Sequence, residues 1–231
     1  MASVRGLPWL LRGFALAASL LGGTAWGQDV TIKPDPPGSS PSGADRLRPD
    51  GSDRYAPKVD WSQIPPWRQT SFFGLRARGQ FFVYVVDCSG SMADAGRLAR
   101  AKQEIRRSVM GLRWPQKFLV IFYNDRPLPM PGGGVPQPAD LSAKNQLVSW
   151  FRLIQPDGET DPRGAMALAL GLRPDAIFLL SDGEFPSGAA AAIAQKNPYK
   201  VPIHCIDLAG AGGDQLKQIA RDSGGQYVVR P

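Results

Sequence analysis

From Gly79 onward, unbroken apolar runs alternate with amphipathic stretches. "QFFVYVVD", "KFLVIFYN", "DAIFLLSD" and "VPIHCIDL" lack polar alternation, as strands buried on both faces do. "RLARAKQEIRRSVMGL" sets Leu98, Ala101, Ile105, Val109 and Leu112 on one face at helical spacing. "DLSAKNQLVSWFRLI" does the same with Leu141, Leu147, Trp150, Phe151 and Ile154. Asp161 and Pro162 predict a cap and first position for a helix in "PRGAMALALGL", and Pro174 stops it. "AAAAIAQK" and "GDQLKQIARDS" are further helices, the second ended by Gly224 before a last strand, "QYVV". A short edge strand is expected near Leu128–Met130, where proline is tolerable. Strands alternating with helices predict an α/β domain with a parallel sheet covered on both faces.

The first 78 residues lack this rhythm. Residues 1–27 read as an export signal: Arg5 and Arg12 precede the apolar "FALAASLL", and Ala25-Trp26-Gly27 offers small residues for cleavage. The competing reading is an uncleaved anchor, but the stretch between Arg12 and Gln28 falls short of the roughly 20 residues of a spanning helix. Residues 28–57, with "KPDPPGSSPSGAD", have little to bury and read as a flexible linker. Residues 58–74 hold Trp61, Ile64, Trp67, Phe72 and Phe73, and read as an aromatic strap packed on the domain that follows, residues 75–231. A surface aromatic site for a partner is the alternative there.

The net charge of +7, from 27 bases and 20 acids, is scattered along the chain. Its densest stretch, "RLARAKQEIRR", is the solvated face of a helix, and no clustered patch supports nucleic-acid binding.

The chemistry gathers where strands end. Ligands of open α/β sheets bind beyond the carboxyl ends of the strands. Asp87, Ser89 and Ser91 in "DCSGSM" follow the first long strand, and Asp182 in "LLSDGE" follows the third. Thr160, in the loop before "PRGAMALAL", reaches the same rim. An extended Asp-x-Ser-x-Ser loop points its polar side chains one way, while Gly90 allows a close backbone turn. Carboxylates and hydroxyls without thiolate or imidazole suit a hard cation, Mg²⁺ or Mn²⁺. Each group alone reads equally well as a cap or turn; the combination is what points to a metal. Asp157 and Glu159 are solvated by the same reading, with Glu159 close enough to tune an ion.

These stretches carry a resemblance. "FVYVVDCSGSM", "DGETDPRGAMALAL", "AIFLLSDGE" and "LKQIARDSGGQYVV" are similar, in order, to the signatures of the von Willebrand factor type A domain. The resemblance covers about residues 75–231. It implies a doubly wound, Rossmann-like, mostly parallel six-stranded sheet of order 3-2-1-4-5-6, its third strand a short antiparallel edge. It also implies a metal-ion-dependent adhesion site at Asp87, Ser89, Ser91, Thr160 and Asp182, where an acidic side chain of a partner completes the ion's shell. Two departures stand out. "DGET" has one glycine where two commonly precede the threonine, and the helix that follows the last strand in many members is absent from the sequence given.

The implied protein is an exported, monomeric adhesion or assembly module, periplasmic, extracellular or at the cell surface. It is not an enzyme. Its partner is a protein offering Asp or Glu, with no nucleic acid, and membrane association follows only from an uncleaved signal. A scaffold module whose metal merely stabilises it is the alternative, and a hydrolase the weaker one. His204 lies inside a strand, no Gly-x-Ser-x-Gly elbow is present, and the first strand is not followed by Gly-x-Gly-x-x-Gly. In the implied strand order, Cys88 and Cys205 lie on strands about 9.6 Å apart. That exceeds the roughly 7 Å a disulfide spans, so both are expected unpaired and buried.

Overall fold

The computed structural model describes residues 59–182, 185–210 and 213–231. The export signal and linker lie outside the described residues, as does the first residue of the strap.

The apolar runs become the centre of a seven-stranded sheet. β3 (Phe81–Asp87), β4 (Lys117–Tyr123), β7 (Ala176–Ser181) and β8 (Ile203–Asp207) are the four long runs, and β9 (Tyr227–Val229) is the last strand. The sheet order is β5-β4-β3-β7-β8-β9, parallel from β4 to β9. Counted from β3, this is the expected 3-2-1-4-5-6. The edge strand β5 (Pro127–Pro129) runs antiparallel to β4, as expected, and a further two-residue strand β6 (Gln137–Pro138) pairs β4 lower down. β7 separates β3 from β8, and Cys88 and Cys205 are both free and buried.

Among the described residues five helices cover the sheet: α1 (Arg97–Gly111), α2 (Leu141–Trp150), α3 (Arg163–Gly171), α4 (Ala189–Gln195) and α5 (Asp214–Ser223). All five apolar residues expected on the first helix are buried. The second helix departs from expectation. It ends at Trp150, and Leu141, its first residue, is 71% exposed instead of facing the sheet.

The strap has more structure than its composition indicates. β1 (Gln69–Phe72) and β2 (Leu75–Arg78) form an antiparallel hairpin, and the boundary expected at residue 75 falls inside it. Phe72 packs edge-on against Tyr84 and Phe178, with ring centres 5.2 and 5.5 Å away. Thr70 Oγ1, Tyr84 Oη and Ser108 Oγ form a buried triangle of hydrogen bonds tying hairpin, sheet and α1 together. Phe72 and Phe73 are buried, whereas Trp67 stays 48% exposed.

His204 continues the aromatic row Tyr84–Phe178 across the sheet, its ring stacked 5.3 Å from Phe178. Its Nδ1 accepts from the backbone N–H of Gln226 at 3.3 Å. Burial pushes its pKa down from 6.5 to about 4. Below its ordinary pKa the unfolded chain gains a proton that the fold refuses, so this contribution is complete above pH 6.5 and lost as pH falls towards 4. Urea unfolding at pH 7 and pH 4.5 should show the stability gap narrowing by about 2 kcal/mol in His204→Gln relative to wild type.

Candidate metal centre

The end of β3 carries a carboxylate without solvent contact, Asp87. One oxygen accepts the Ser89 N–H at 2.8 Å and the other the Ser181 hydroxyl at 2.7 Å. Burial pushes its pKa up to about 6 against these hydrogen bonds, and the nearby Asp182 charge adds to the rise.

Beyond Asp87 the chain turns into a 3-10 segment over Gly90–Gly96, anchored by the buried Met92. The Ser89 and Ser91 hydroxyl oxygens lie 3.2 Å apart, and Ser91 Oγ donates to Asp182 at 2.9 Å. A serine has one hydroxyl proton, so Ser91 spends it on Asp182 and Ser89 is the donor between the two serines. The proton order Ser89→Ser91→Asp182 leaves hydroxyl lone pairs uncommitted. Asp182's other oxygen takes a 2.9 Å ion pair from Arg97, the first residue of α1. Arg97 also donates to the Ser91 carbonyl at 3.3 Å.

Thr160 is half-buried and shares an open depression with Ser89, Ser91, Gly158, Glu159, Phe185 and Pro186. Four of the five predicted residues are thus linked by hydrogen bonds or a shared oxygen chain, and the fifth lines the same hollow. No trio of His, Cys, Asp or Glu gathers among the described residues. A cation held at this rim would depend on hydroxyl oxygens. The donor set fits that demand: it is all oxygen, and the 3.2 Å between the serine oxygens approaches the separation of about 3.0 Å between adjacent corners of a magnesium octahedron. The only histidine, His204, sits near the opposite ends of the strands, in a hollow with Asp175 and Pro202, so neither serine has an imidazole base beside it.

No family model matches this chain, and no curated protein does. Solved structures do. A von Willebrand factor type A protein from Catenulispora acidiphila superposes with a TM-score of 0.59 at 20% identity, over 68% of this chain and 40% of that one. The domain has the von Willebrand factor type A fold. An aerotolerance-related membrane protein from Bacteroides fragilis NCTC 9343 matches with a TM-score of 0.51 at 20% identity, over 66% of this chain and 92% of its own. The pilus adhesin SpaC from Lactobacillus rhamnosus GG matches at 0.52 with 12% identity, over 64% and 28%. This chain therefore spans less than half the length of the Catenulispora protein. Such identities speak for architecture alone.

On this von Willebrand factor type A rim, sequence reasoning missed three residues. Ser181 is the single polar side chain of an otherwise apolar strand, a signal that was there to be read. Arg97 opens a helix and has no local signature. Asn124 is the first residue after β4. It holds the threonine loop by donating to the Asp157 carbonyl at 3.0 Å, while its own carbonyl accepts the Asp161 N–H at 2.8 Å. Asp161 accepts the Arg163 N–H at 3.0 Å, while α3 begins at Arg163 with Pro162 at its N-cap, one position later than expected.

The close approach expected of Gly90 belongs instead to Gly158. An added Cβ at Gly90 would lie 3.6 Å from the Gly158 carbonyl, an ordinary contact. Gly158 has φ +75°, and its Cβ would come within 2.8 Å of the Asn124 nitrogen that holds the loop. Gly158→Ala should lower stability by about 1–3 kcal/mol in urea unfolding. Gly111→Ala, which would meet nothing within 4 Å, should stay within about 0.5 kcal/mol of wild type. Equal midpoints for the two variants would contradict the strain assigned to this loop.

Proposed function

We propose that this chain is an exported protein-interaction module that grips an acidic side chain of a partner through a divalent cation, Mg²⁺ or Mn²⁺. Asp87, Ser89, Ser91, Thr160 and Asp182 hold the ion. The observation that carries the reading is the oxygen set at the rim: two serine hydroxyls 3.2 Å apart beside a threonine in one open depression, backed by two buried carboxylates.

Each residue has its own task. Asp87, committed to Ser89 and Ser181, fixes the first loop from behind. Asp182 orients Ser91 by accepting its proton. Thr160 lines the same hollow, on a loop pinned by Asn124. With hydroxyls in front and carboxylates behind, a bound cation keeps unneutralised charge and replaceable water positions, which a partner's Asp or Glu can take. The SpaC match, a pilus adhesin, agrees with an adhesive use of the same architecture.

Calorimetric titration with MgCl₂ and with MnCl₂ tests the ion directly. Wild type should bind one equivalent, and Thr160→Ala and Asp182→Asn should each weaken binding by about tenfold or more. Proteins captured from the native source in Mg²⁺ should be released by EDTA and not retained by Thr160→Ala. Metal binding without metal-dependent capture would favour a purely stabilising ion, and no metal uptake would remove the proposal.

Arg97 supplies a second test. Its guanidinium competes for Asp182 as a tethered cation. Arg97→Gln should therefore tighten Mg²⁺ binding by roughly three- to tenfold, most visibly at low salt. Unchanged affinity would mean the ion pair opens at no cost.

A further inference from the structure

The pole of the domain opposite the hydroxyl rim exposes large apolar side chains where strands enter the sheet. Trp114 is 83% exposed, Leu141 71%, Trp67 48% and Met110 38%. Hydrogen bonds to backbone carbonyls hold their segments together. Lys144 Nζ, in the first turns of α2, donates to the Leu112 carbonyl at 2.7 Å and the Met110 carbonyl at 3.3 Å. The Ala139 N–H reaches the Gln116 carbonyl at 2.9 Å, and Gln116 Nε2 reaches the Gln69 carbonyl at 2.9 Å. Three stretches of chain thus present one apolar tip.

Bases outnumber acids around that tip. Arg68, Arg78, Arg113 and Lys117 are exposed, and none is in an ion pair among the described residues. Two exposed carboxylates share the pole and keep their charge, each turned to backbone donors: Asp140 accepts the Ala143 N–H, and Asp175 accepts those of Gln80 and Phe81. Val59, the first described residue, lies in a hollow with Asp175 and Pro202 at the same pole.

We propose that this pole docks on an anionic lipid surface, with Trp114 and Leu141 entering the headgroup boundary and the surrounding bases on the phosphates. Tryptophan favours that boundary because its ring has an apolar body and a polar N–H, and bases close to it gain from negative headgroups. The contact needs no uncleaved signal. It turns the hydroxyl rim away from the lipid and does not depend on the metal.

The test uses the full chain and vesicles of phosphatidylcholine, alone or with about 30% phosphatidylglycerol. Wild type should sediment with the anionic vesicles and weaken as salt rises. The double variant Trp114→Gln, Leu141→Gln should lose about tenfold in partitioning. Arg113→Gln with Lys117→Gln should weaken binding and flatten its salt dependence. These positions are exposed, so unchanged circular dichroism establishes that the variants fold. The proposal is overturned if wild type does not bind, or binds without preference for anionic lipid. It also fails if the variants bind like wild type, since the apolar run at 14–21 would then carry the contact. A soluble dimer that Trp114→Gln dissociates in sedimentation equilibrium would equally overturn it, by assigning the pole to a second copy.

Discussion

A carboxylate sealed at the carboxyl end of a central strand sets the terms for everything at the rim. Asp87 is sealed from solvent, so its oxygens must find donors or lose several kcal/mol. It finds the Ser89 N–H in its own loop and the Ser181 hydroxyl on the neighbouring strand. Those two bonds force the chain after β3 to turn back on itself and bring β7 alongside with its terminal serine inward. Ser91 then faces Asp182, and Asp182 faces Arg97. The rim is a hydrogen-bonded consequence of one buried charge.

The sheet makes that charge tolerable. β3 lies between β4 and β7 with every residue from Phe82 to Asp87 buried, so its end cannot move relative to its neighbours. The hairpin β1–β2 adds cover on one face, through Phe72 on Tyr84 and Phe178. Rigidity here matters because a cation site tolerates little displacement of its oxygens. The two poles differ in chemistry. One presents hydroxyls on pinned loops, and the other presents Trp114 and Leu141 near bases that are in no ion pair among the described residues.

Much of this was legible before any coordinates. Unbroken apolar runs such as "FFVYVV" have one stable destination, a strand buried on both faces, and the helices between them dictated a parallel sheet. The chemistry was legible where it sits at strand ends, because Asp87 and Asp182 interrupt apolar runs that would otherwise continue. What was not legible depended on contacts between distant segments. The hairpin at residues 69–78 reads as a strap because its short alternation, Thr70, Phe72, Leu75 and Ala77 inward, is confined to four-residue strands. Leu141 matched a helical face yet is exposed in the first turn of α2, something periodicity cannot report. Arg97 meets Asp182 only after the sheet has brought positions 85 residues apart together.

The account's central claim is that Ser89, Ser91 and Thr160 share one divalent cation backed by Asp87 and Asp182. Crystals of the protein soaked in MnCl₂, with anomalous diffraction recorded near the manganese edge, test it most directly. A single strong anomalous peak bonded to the Ser89, Ser91 and Thr160 hydroxyl oxygens is the predicted result. Manganese elsewhere on the surface with none at this rim, or hydroxyls still paired with one another at full soak, would contradict it.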